Sequence, residues 1–327
     1  MNKLRFASYN CKGFKNRNYD YLIDLFKEFD LQFLQETWLH AFQENLISQI
    51  LIDSNFYHVS GMSSSDISKK GRPHGGVAII YHSSLQIQLF PIVANSNRIC
   101  ASKVVISEHN FLLMSVYMPV NDGSSVNIQE FEEVLIEISS ILRSHDDCVP
   151  ILGGDFNLDL VRDCNSNTFD IFKRFVDDEY LLCHDEIFYL QQPYYTYESS
   201  TGLRSSIDHF VFNNDHKDNV NNFRVLIDGN NLSDHQPICI EYNLGRDTHI
   251  KEPGKFVEIN SINWKRPNDG QIRSYKTILD EMLSSLSLPV EVVDCNDMLC
   301  KSHENVIVEY MEDIINAIKL SAELTIP

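Results

Sequence analysis

Residues 151–157 read Ile151-Leu152-Gly153-Gly154-Asp155-Phe156-Asn157, and the fold is organised around them. The apolar run from Cys148 to Leu152 has the length and composition of a buried strand. The two glycines that follow predict a tight backbone turn. Asp155 and Asn157 sit two residues apart, so an extended segment carries both side chains on the same side. A strand that delivers a carboxylate and an amide to one spot is suited to the edge of an active site. A plain exit from strand to turn would use the same residue types, since Asp and Asn are common in turns. The functional reading gains because several other strand ends in this chain finish in the same way.

Upstream, Arg5-Phe6-Ala7-Ser8-Tyr9 alternates as a strand and ends at Asn10. Tyr21, Leu22, Leu25, Phe26 and Phe29 then recur at helical spacing. Leu31 to Leu34 is the next strand and ends in Gln35-Glu36-Thr37. Phe42, Leu46, Ile47, Ile50 and Leu51 predict one face of a further helix. Two such β–α steps argue for a layered α/β domain. Gly75-Gly76 opens a strand over Val77–Tyr81. Strands over Ile99–Ile106 and Phe111–Tyr117 follow, the last stopped by Pro119. Gln129–Leu142 predicts an amphipathic helix that feeds the organising strand, and Thr168–Glu179 predicts another. Tyr194–Glu198, Ile207–Phe212 and Pro237–Tyr242 read as strands. After Gly245 the composition turns polar, with a linker over residues 246–260. Two helical stripes follow, one through Ile272, Tyr275, Ile278, Leu279, Met282 and Leu286, the other through Ile307, Met311, Ile314, Ile315 and Ile318. The expected organisation is a domain over residues 1–244, then a linker and helical extension over 245–327.

With 327 residues, 43% hydrophobic and 22% charged, the chain has the composition of a soluble globular protein. The apolar run within Met1 to Asn10 is shorter than expected of a signal peptide and has no small-residue cleavage site, and no apolar run approaches the ~20 residues needed to span a bilayer. Eight cysteines without dense spacing predict reduced thiols and an intracellular setting. The net charge of −19 runs against the basic footprint usual for nucleic-acid binding. It does not exclude a nuclease, because catalytic carboxylates add negative charge that a bound divalent metal offsets locally. Lys69-Lys70-Gly71-Arg72-Pro73-His74 is either a phosphate track or an ordinary solvated loop.

The polar groups at strand ends are Asn10, Glu36, Tyr117, Asp155 with Asn157, Asp208, and the pair Asp234-His235. Carboxylates are hard oxygen donors suited to Mg²⁺, which takes one or two of them from protein and keeps several waters. His235 can act as a base or donate to a phosphate oxygen, since imidazole titrates near neutrality. Asp208 is a candidate to orient its ring. Each residue alone also has a structural reading: Asn10 and Tyr117 as capping or core groups, Glu36 as a helix cap, Asp234 as a turn residue. One polar cluster per strand end is harder to explain that way.

Eight motifs in order carry a resemblance: Ser8-Tyr9-Asn10, Leu34-Gln35-Glu36-Thr37-Trp38-Leu39, Gly75-Gly76-Val77-Ala78-Ile79, Val116-Tyr117-Met118-Pro119, Gly154-Asp155-Phe156-Asn157, Tyr195-Thr196-Tyr197, Ser205-Ser206-Ile207-Asp208 and Ser233-Asp234-His235-Gln236-Pro237-Ile238. Over residues 3–243 the chain resembles the endonuclease/exonuclease/phosphatase superfamily, which includes apurinic/apyrimidinic endonucleases and DNase I. The Glu-Thr-Trp-Leu and Ser-x-x-Asp versions look most like the endonuclease domain of non-LTR (LINE-type) retrotransposons. Asn263-Trp264, Leu288-Pro289, Cys295, Cys300, His303 and the closing Thr325-Ile326-Pro327 resemble the segment that joins such an endonuclease to a reverse transcriptase. Cys295, Cys300 and His303 are possible zinc ligands with His249 as a conceivable fourth, although buried thiols fit an incomplete set better.

The resemblance implies a four-layer α/β sandwich, two packed mixed β-sheets flanked by helices, with a C-terminal helical extension. It implies Mg²⁺, or Mn²⁺ in its place, bound by Glu36 with Asn10 and Asp234. Asp155 would activate the attacking water and Asn157 would position it. Tyr117 would contact the scissile phosphate. Asp208 would hold His235, which would stabilise charge building on the phosphate. Thr196, Ser205, Ser233 and His74 would be phosphate-binding or supporting groups. The implied reaction is nicking of DNA to leave a 3′-hydroxyl, with a nuclear location following from that function. The same core also serves phosphatases and phosphodiesterases on lipid, small-molecule or RNA substrates, and a catalytically silent fragment is a third reading.

Overall fold

In the strand Lys3–Asn10 (β1), Phe6 and Ala7 are both buried but belong to different apolar clusters. Phe33 and Leu34 divide in the same way in Leu31–Gln35 (β2), and Ile151 and Leu152 in Val149–Asp155 (β8). Strands apolar on both sides need a covering layer on each face.

A computed structural model supplies those layers; it describes residues 3–62, 73–106, 108–188, 194–245, 268–286, 288–289, 292 and 303–326. Ser54–Val59 (β3), Val77–His82 (β4), Val220–Val225 (β13) and Ile238–Asn243 (β14) join β1 and β2 in a six-stranded sheet of order β13-β14-β1-β2-β4-β3. Ile87–Ile92 (β5), Ile99–Ile106 (β6), His109–Tyr117 (β7), Leu181–Cys183 (β9) and Asp208–Asn213 (β12) join β8 in a second, of order β5-β6-β7-β8-β12-β9. Both sheets are mixed: β1–β2 and β7–β8 pair in parallel, the rest antiparallel. Tyr197–Glu198 (β10) and Arg204–Ser205 (β11) form a separate hairpin.

Phe6, Phe33, Ile79, Leu113, Ile151 and Phe210 fill the space between the sheets. Helices Tyr19–Glu28 (α1) and Leu46–Ile50 (α2) cover the first sheet through Leu22, Leu25, Phe26 and Ile47. Ser125–Ser144 (α3) and Asn167–Asp178 (α4) cover the second through Phe131, Leu135, Ile138, Phe172 and Val176. This is the expected four-layer α/β sandwich. Residues Met1–Ile227 with Asn231–Ile259 form one compact unit, and Asp228–Asn230 with Asn260–Pro327 form another. In the second unit, helices Asp269–Ser285 (α6) and Glu304–Glu323 (α7) pack together, Ser321 reaching Met282 at 3.3 Å. A short helix, His184–Phe188 (α5), lies between β9 and β10. Among the described residues no helix is long and apolar enough to cross a membrane. Cys295, Cys300, His249, Lys69 to Arg72 and the linker 246–260 lie outside the described residues.

Three local expectations are corrected. Phe42 is 66% exposed, and the helix expected from it is a 3-10 turn, Ala41–Gln43, followed by the short α2. The aromatic strand expected from Tyr194 begins only at Tyr197. The glycines of the organising stretch do not turn the chain; they lie inside β8, which runs on to Asp155. Their role is close approach. A Cβ on Gly153 would lie 2.5 Å from the Phe33 ring, and one on Gly154 would lie 2.0 Å from the carbonyl oxygen of Val116 in β7. Gly154→Ala therefore meets backbone, which cannot yield as a side chain can. The variant is expected to lose at least the ~1–3 kcal/mol typical of overpacking, seen as a lower denaturation midpoint. An unchanged midpoint would refute this account of the glycine.

Candidate active site

Register brings the polar strand ends together. In the second sheet Asp155 stands opposite Tyr117 of β7 on one side and Asp208 of β12 on the other. In the first, Asn10 stands opposite Gln35, one residue before Glu36. Of the hydrogen bonds that cross between the sheets at this end, two join anticipated site residues. Asn10 Nδ2 donates to Asp155 Oδ2 at 2.9 Å, and Tyr117 OH donates to Glu36 Oε1 at 2.6 Å.

Asp155 is 1% exposed. Its other oxygen accepts the backbone N–H of Asn157 at 3.0 Å, while Asn157 Nδ2 donates to the Met118 carbonyl at 2.9 Å. Asn157 adopts φ 50°, a left-handed conformation that Asn tolerates better than most residues. Burial pushes the Asp155 carboxyl up to about 7; His235 draws it down and Asp208 adds to the rise.

His235 lies between the two aspartates. Its Nδ1 is 2.9 Å from Asp208 Oδ2 and 3.1 Å from Oδ1, and its Nε2 is 3.7 Å from Asp155 Oδ2. The first spacing is a hydrogen bond; the second is too long for one. Burial pulls the imidazole pKa down, but Asp208 and Asp155 outweigh it and lift it to about 9. When protonated, the ring presents its Nε2 proton toward the Asp155 side. Asp155, Asp208 and His235 also have the donor types and spacing to hold a metal ion, with ligand atoms all within 4.8 Å.

Glu36 is presented by a turn in which Glu36 (φ 51°) and Trp38 (φ 57°) are both left-handed. Backbone bonds from Gly13 and Phe14 to the carbonyls of Glu36 and Thr37, and from Thr37 and Trp38 to those of Gly76 and Gly75, hold that turn. Such residues persist only where their surroundings over-determine them, and they concentrate at functional sites. The Trp38 indole N–H donates to Glu36 Oε2 at 2.8 Å. Burial and the Glu36 charge push the Tyr117 phenol well above its ordinary pKa, so it remains a donor. A cleft of about 520 Å³ opens here, lined by Lys12, Glu36, Trp38, His74, Arg98 and Tyr117 among others. Its oxygen donors fit a hard divalent cation: Glu36 offers a carboxylate at the wall, with room beside it for retained waters.

The remaining anticipated residues divide. Exposed His74 is at the cleft. Thr196 and Ser233 are fully buried behind it. Thr196 Oγ1 accepts the N–H of Ile207 at 3.0 Å and of Asp208 at 3.1 Å, fixing the start of β12. Ser233 Oγ donates to the Asn10 carbonyl at 2.8 Å and accepts the His235 N–H at 3.2 Å. Both hydroxyls support site residues. Ser205 pairs with Tyr197 in the hairpin, its carbonyl accepting the Thr196 N–H at 2.9 Å. Asp234 forms an ion pair with Lys12. Burial would raise the Asp234 pKa, but Lys12 and His235 hold it below the ordinary value.

Lys12, Trp38 and Arg98 are cleft residues that sequence reasoning passed over. Arg98 lies over the Tyr117 ring at 5.5 Å and donates to Glu130 at 2.8 Å. Lys12 and Trp38 each stand two residues after an anticipated site residue, and that spacing was the available signal. A second buried group, Cys183, His184, Asp185 and His209, has the donor types of a metal site. It is satisfied without one. Asp185 accepts from Cys183 at 2.9 Å and Tyr194 at 2.7 Å and pairs with His209 at 2.6 Å, while the Phe210 N–H occupies His184 Nδ1 at 3.0 Å. It is polar packing behind Asp208.

A family model described as the Endonuclease/Exonuclease/phosphatase family matches residues 7–235. Among solved structures, an AP endonuclease from Archaeoglobus fulgidus superposes with a TM-score of 0.59 at 15% identity, covering 74% of this chain and 100% of that one. The endonuclease domain of TRAS1, a telomere-specific non-LTR retrotransposon, gives 0.57 at 16% identity over 74% and 99%. The 3′ phosphatase NExo (D146N) from Neisseria, bound to product DNA hairpin, gives 0.56 at 17% over 73% and 99%. At these identities the likeness concerns the fold. Comparison with curated proteins gave no match.

Proposed function

The chain belongs to the endonuclease/exonuclease/phosphatase family, whose members are hydrolytic nucleases and phosphatases, and from that premise we propose a Mg²⁺-dependent endonuclease that nicks DNA in the manner of non-LTR retrotransposons. The observation that carries the chemistry is the line Asp208–His235–Asp155, with Nδ1 bound at 2.9 Å and Nε2 left 3.7 Å from the second carboxylate. That interval suits a phosphate oxygen or the attacking water, so the two groups act on one reacting centre.

Asp155 accepts the proton of the attacking water, and Asn10 and Asn157 hold the carboxylate in place. His235, kept cationic by Asp208, donates to a phosphate oxygen as negative charge builds there. Tyr117 donates from the opposite wall, and Asn157 positions the phosphate. Glu36, with Asn10 beside it, would hold the divalent ion, which polarises the phosphate and stabilises the leaving oxygen when bound. Residues 1–244 are the catalytic part in this reading, and a reverse transcriptase in a longer parent protein is the partner that would use the 3′-hydroxyl.

Supercoiled plasmid with purified protein tests this directly. Open circles should form with Mg²⁺ or Mn²⁺ and not with chelator, and Glu36→Gln should lower the rate by roughly 10²-fold or more, the scale of a lost charge-stabilising group. The net charge of −19 favours a second reading, a phosphatase or phosphodiesterase on small phosphoesters, which meets less electrostatic opposition than a polyanion. Metal-dependent release of phosphate from such substrates without plasmid nicking, at low and at high salt, would select it.

A further inference from the structure

Five carboxylates border the site and its cleft: Glu36, Glu130, Asp155, Asp208 and Asp234. Three already have a cation of the protein's own, Glu130 having Arg98 at 2.8 Å. Asp208 has His235 at 2.9 Å, and Asp234 has Lys12. Among the described residues Asp155 accepts only amide donors, from Asn10 and Asn157, at hydrogen-bond distance, and Glu36 accepts from a phenol and an indole. The cation on Asp234 is there by construction. Lys12 is held left-handed at φ 49°, a conformation costly for a residue with a side chain. Its N–H donates to Asn10 Oδ1 at 3.2 Å. Gly13, at φ 106°, packs so closely that a Cβ there would lie 2.5 Å from the Trp38 ring. The ammonium lines the same cleft as Glu36 and Tyr117.

We propose that Lys12 is a tethered substitute for a second divalent cation: by holding Asp234 it limits the cleft to one metal ion, bound on the Glu36 side. Two-metal phosphoryl-transfer sites need acidic ligands for both ions, a few ångströms apart. Here the second acidic ligand is occupied by a point charge on a flexible stem, which also repels an incoming dication. The ammonium remains in the cleft to meet the negative charge of a phosphate, so one lysine does part of the work of a second ion.

This rests on the reading of Glu36 as a metal ligand, and the test separates the two. Mn²⁺ alone, without DNA, is titrated calorimetrically into wild type, Glu36→Gln, Lys12→Met, Lys12→Gln and the double variant Lys12→Met/Asp234→Asn, each first shown to be folded by circular dichroism. Wild type should bind one ion more than Glu36→Gln. Lys12→Met and Lys12→Gln should bind one more than wild type, and Asp234→Asn in the Lys12→Met background should remove that extra ion. Equal stoichiometry in wild type and both Lys12 variants, at whatever affinity, overturns the role of Lys12 and leaves the metal reading intact. Equal stoichiometry in wild type and Glu36→Gln overturns the metal reading itself, and the proposal with it.

Discussion

Replacing Asp155 by asparagine is expected to lower turnover by ~10²–10⁴-fold, the range for loss of a positioned general base, or about 3 to 5 kcal/mol of transition-state stabilisation. The side chain is almost the same size, and β8 keeps its pairing on both sides, so the variant should still unfold cooperatively. What it loses is the ability to take a proton. Burial sets the pH at which that ability appears. With the carboxyl raised to about 7, the wild-type rate should climb with pH through and below that value, since a divalent cation nearby draws the limb down. The checks are single-turnover rates from pH 5 to 10 and a denaturation curve for the variant. An Asp155→Asn protein cutting at near wild-type rate would remove Asp155 from the chemistry.

His235→Ala is expected to cost ~10²–10³-fold, the scale for removing one donor that meets developing negative charge. Its pH signature is opposite in sign. The folded-state pKa lies near 9, above the ordinary value, so the rate should fall as pH rises through about 9. Linkage runs the same way: the ring's contribution to stability is complete below the ordinary histidine value of ~6.5 and is lost as pH passes through about 9. Asp208→Asn removes the nearer of the two carboxylates that raise the ring and should move the alkaline limb to lower pH. If the limb stays in place in Asp208→Asn, a group other than His235 titrates there, and the assignment of the pair is wrong.

The wild-type profile should therefore be a bell, and its two limbs belong to residues that the sequence places eighty positions apart. That gap marks where reading a sequence ends. The central strands were legible because their residues are apolar on both faces, as Phe6-Ala7 and Phe33-Leu34 are. Within the two six-stranded sheets, the strands that escape such a reading, β3, β5, β9 and β13, are the four edges. An edge has solvent on one side and needs no continuous apolar run. β5 even accommodates Pro91, β13 is interrupted by an irregularity between Asn221 and Arg224, and β9 has three residues.

Local sequence alone specified the layered α/β class, the central strands, and the identity of the polar residue at the end of each. Those follow from side-chain period and residue chemistry, which are local. Packing in three dimensions selected which of those residues meet. Asp208 faces His235 because β12 starts opposite Asp155 and Ser233 anchors the following turn to Asn10. Glu36 reaches Tyr117 across two sheets, and Lys12 reaches Asp234 from a residue 222 positions distant. Packing also dictates that Gly153 and Gly154 serve contact with Phe33 and Val116 and not a turn. Register and sheet separation are set by the packing of distant strands, and no window of sequence contains them.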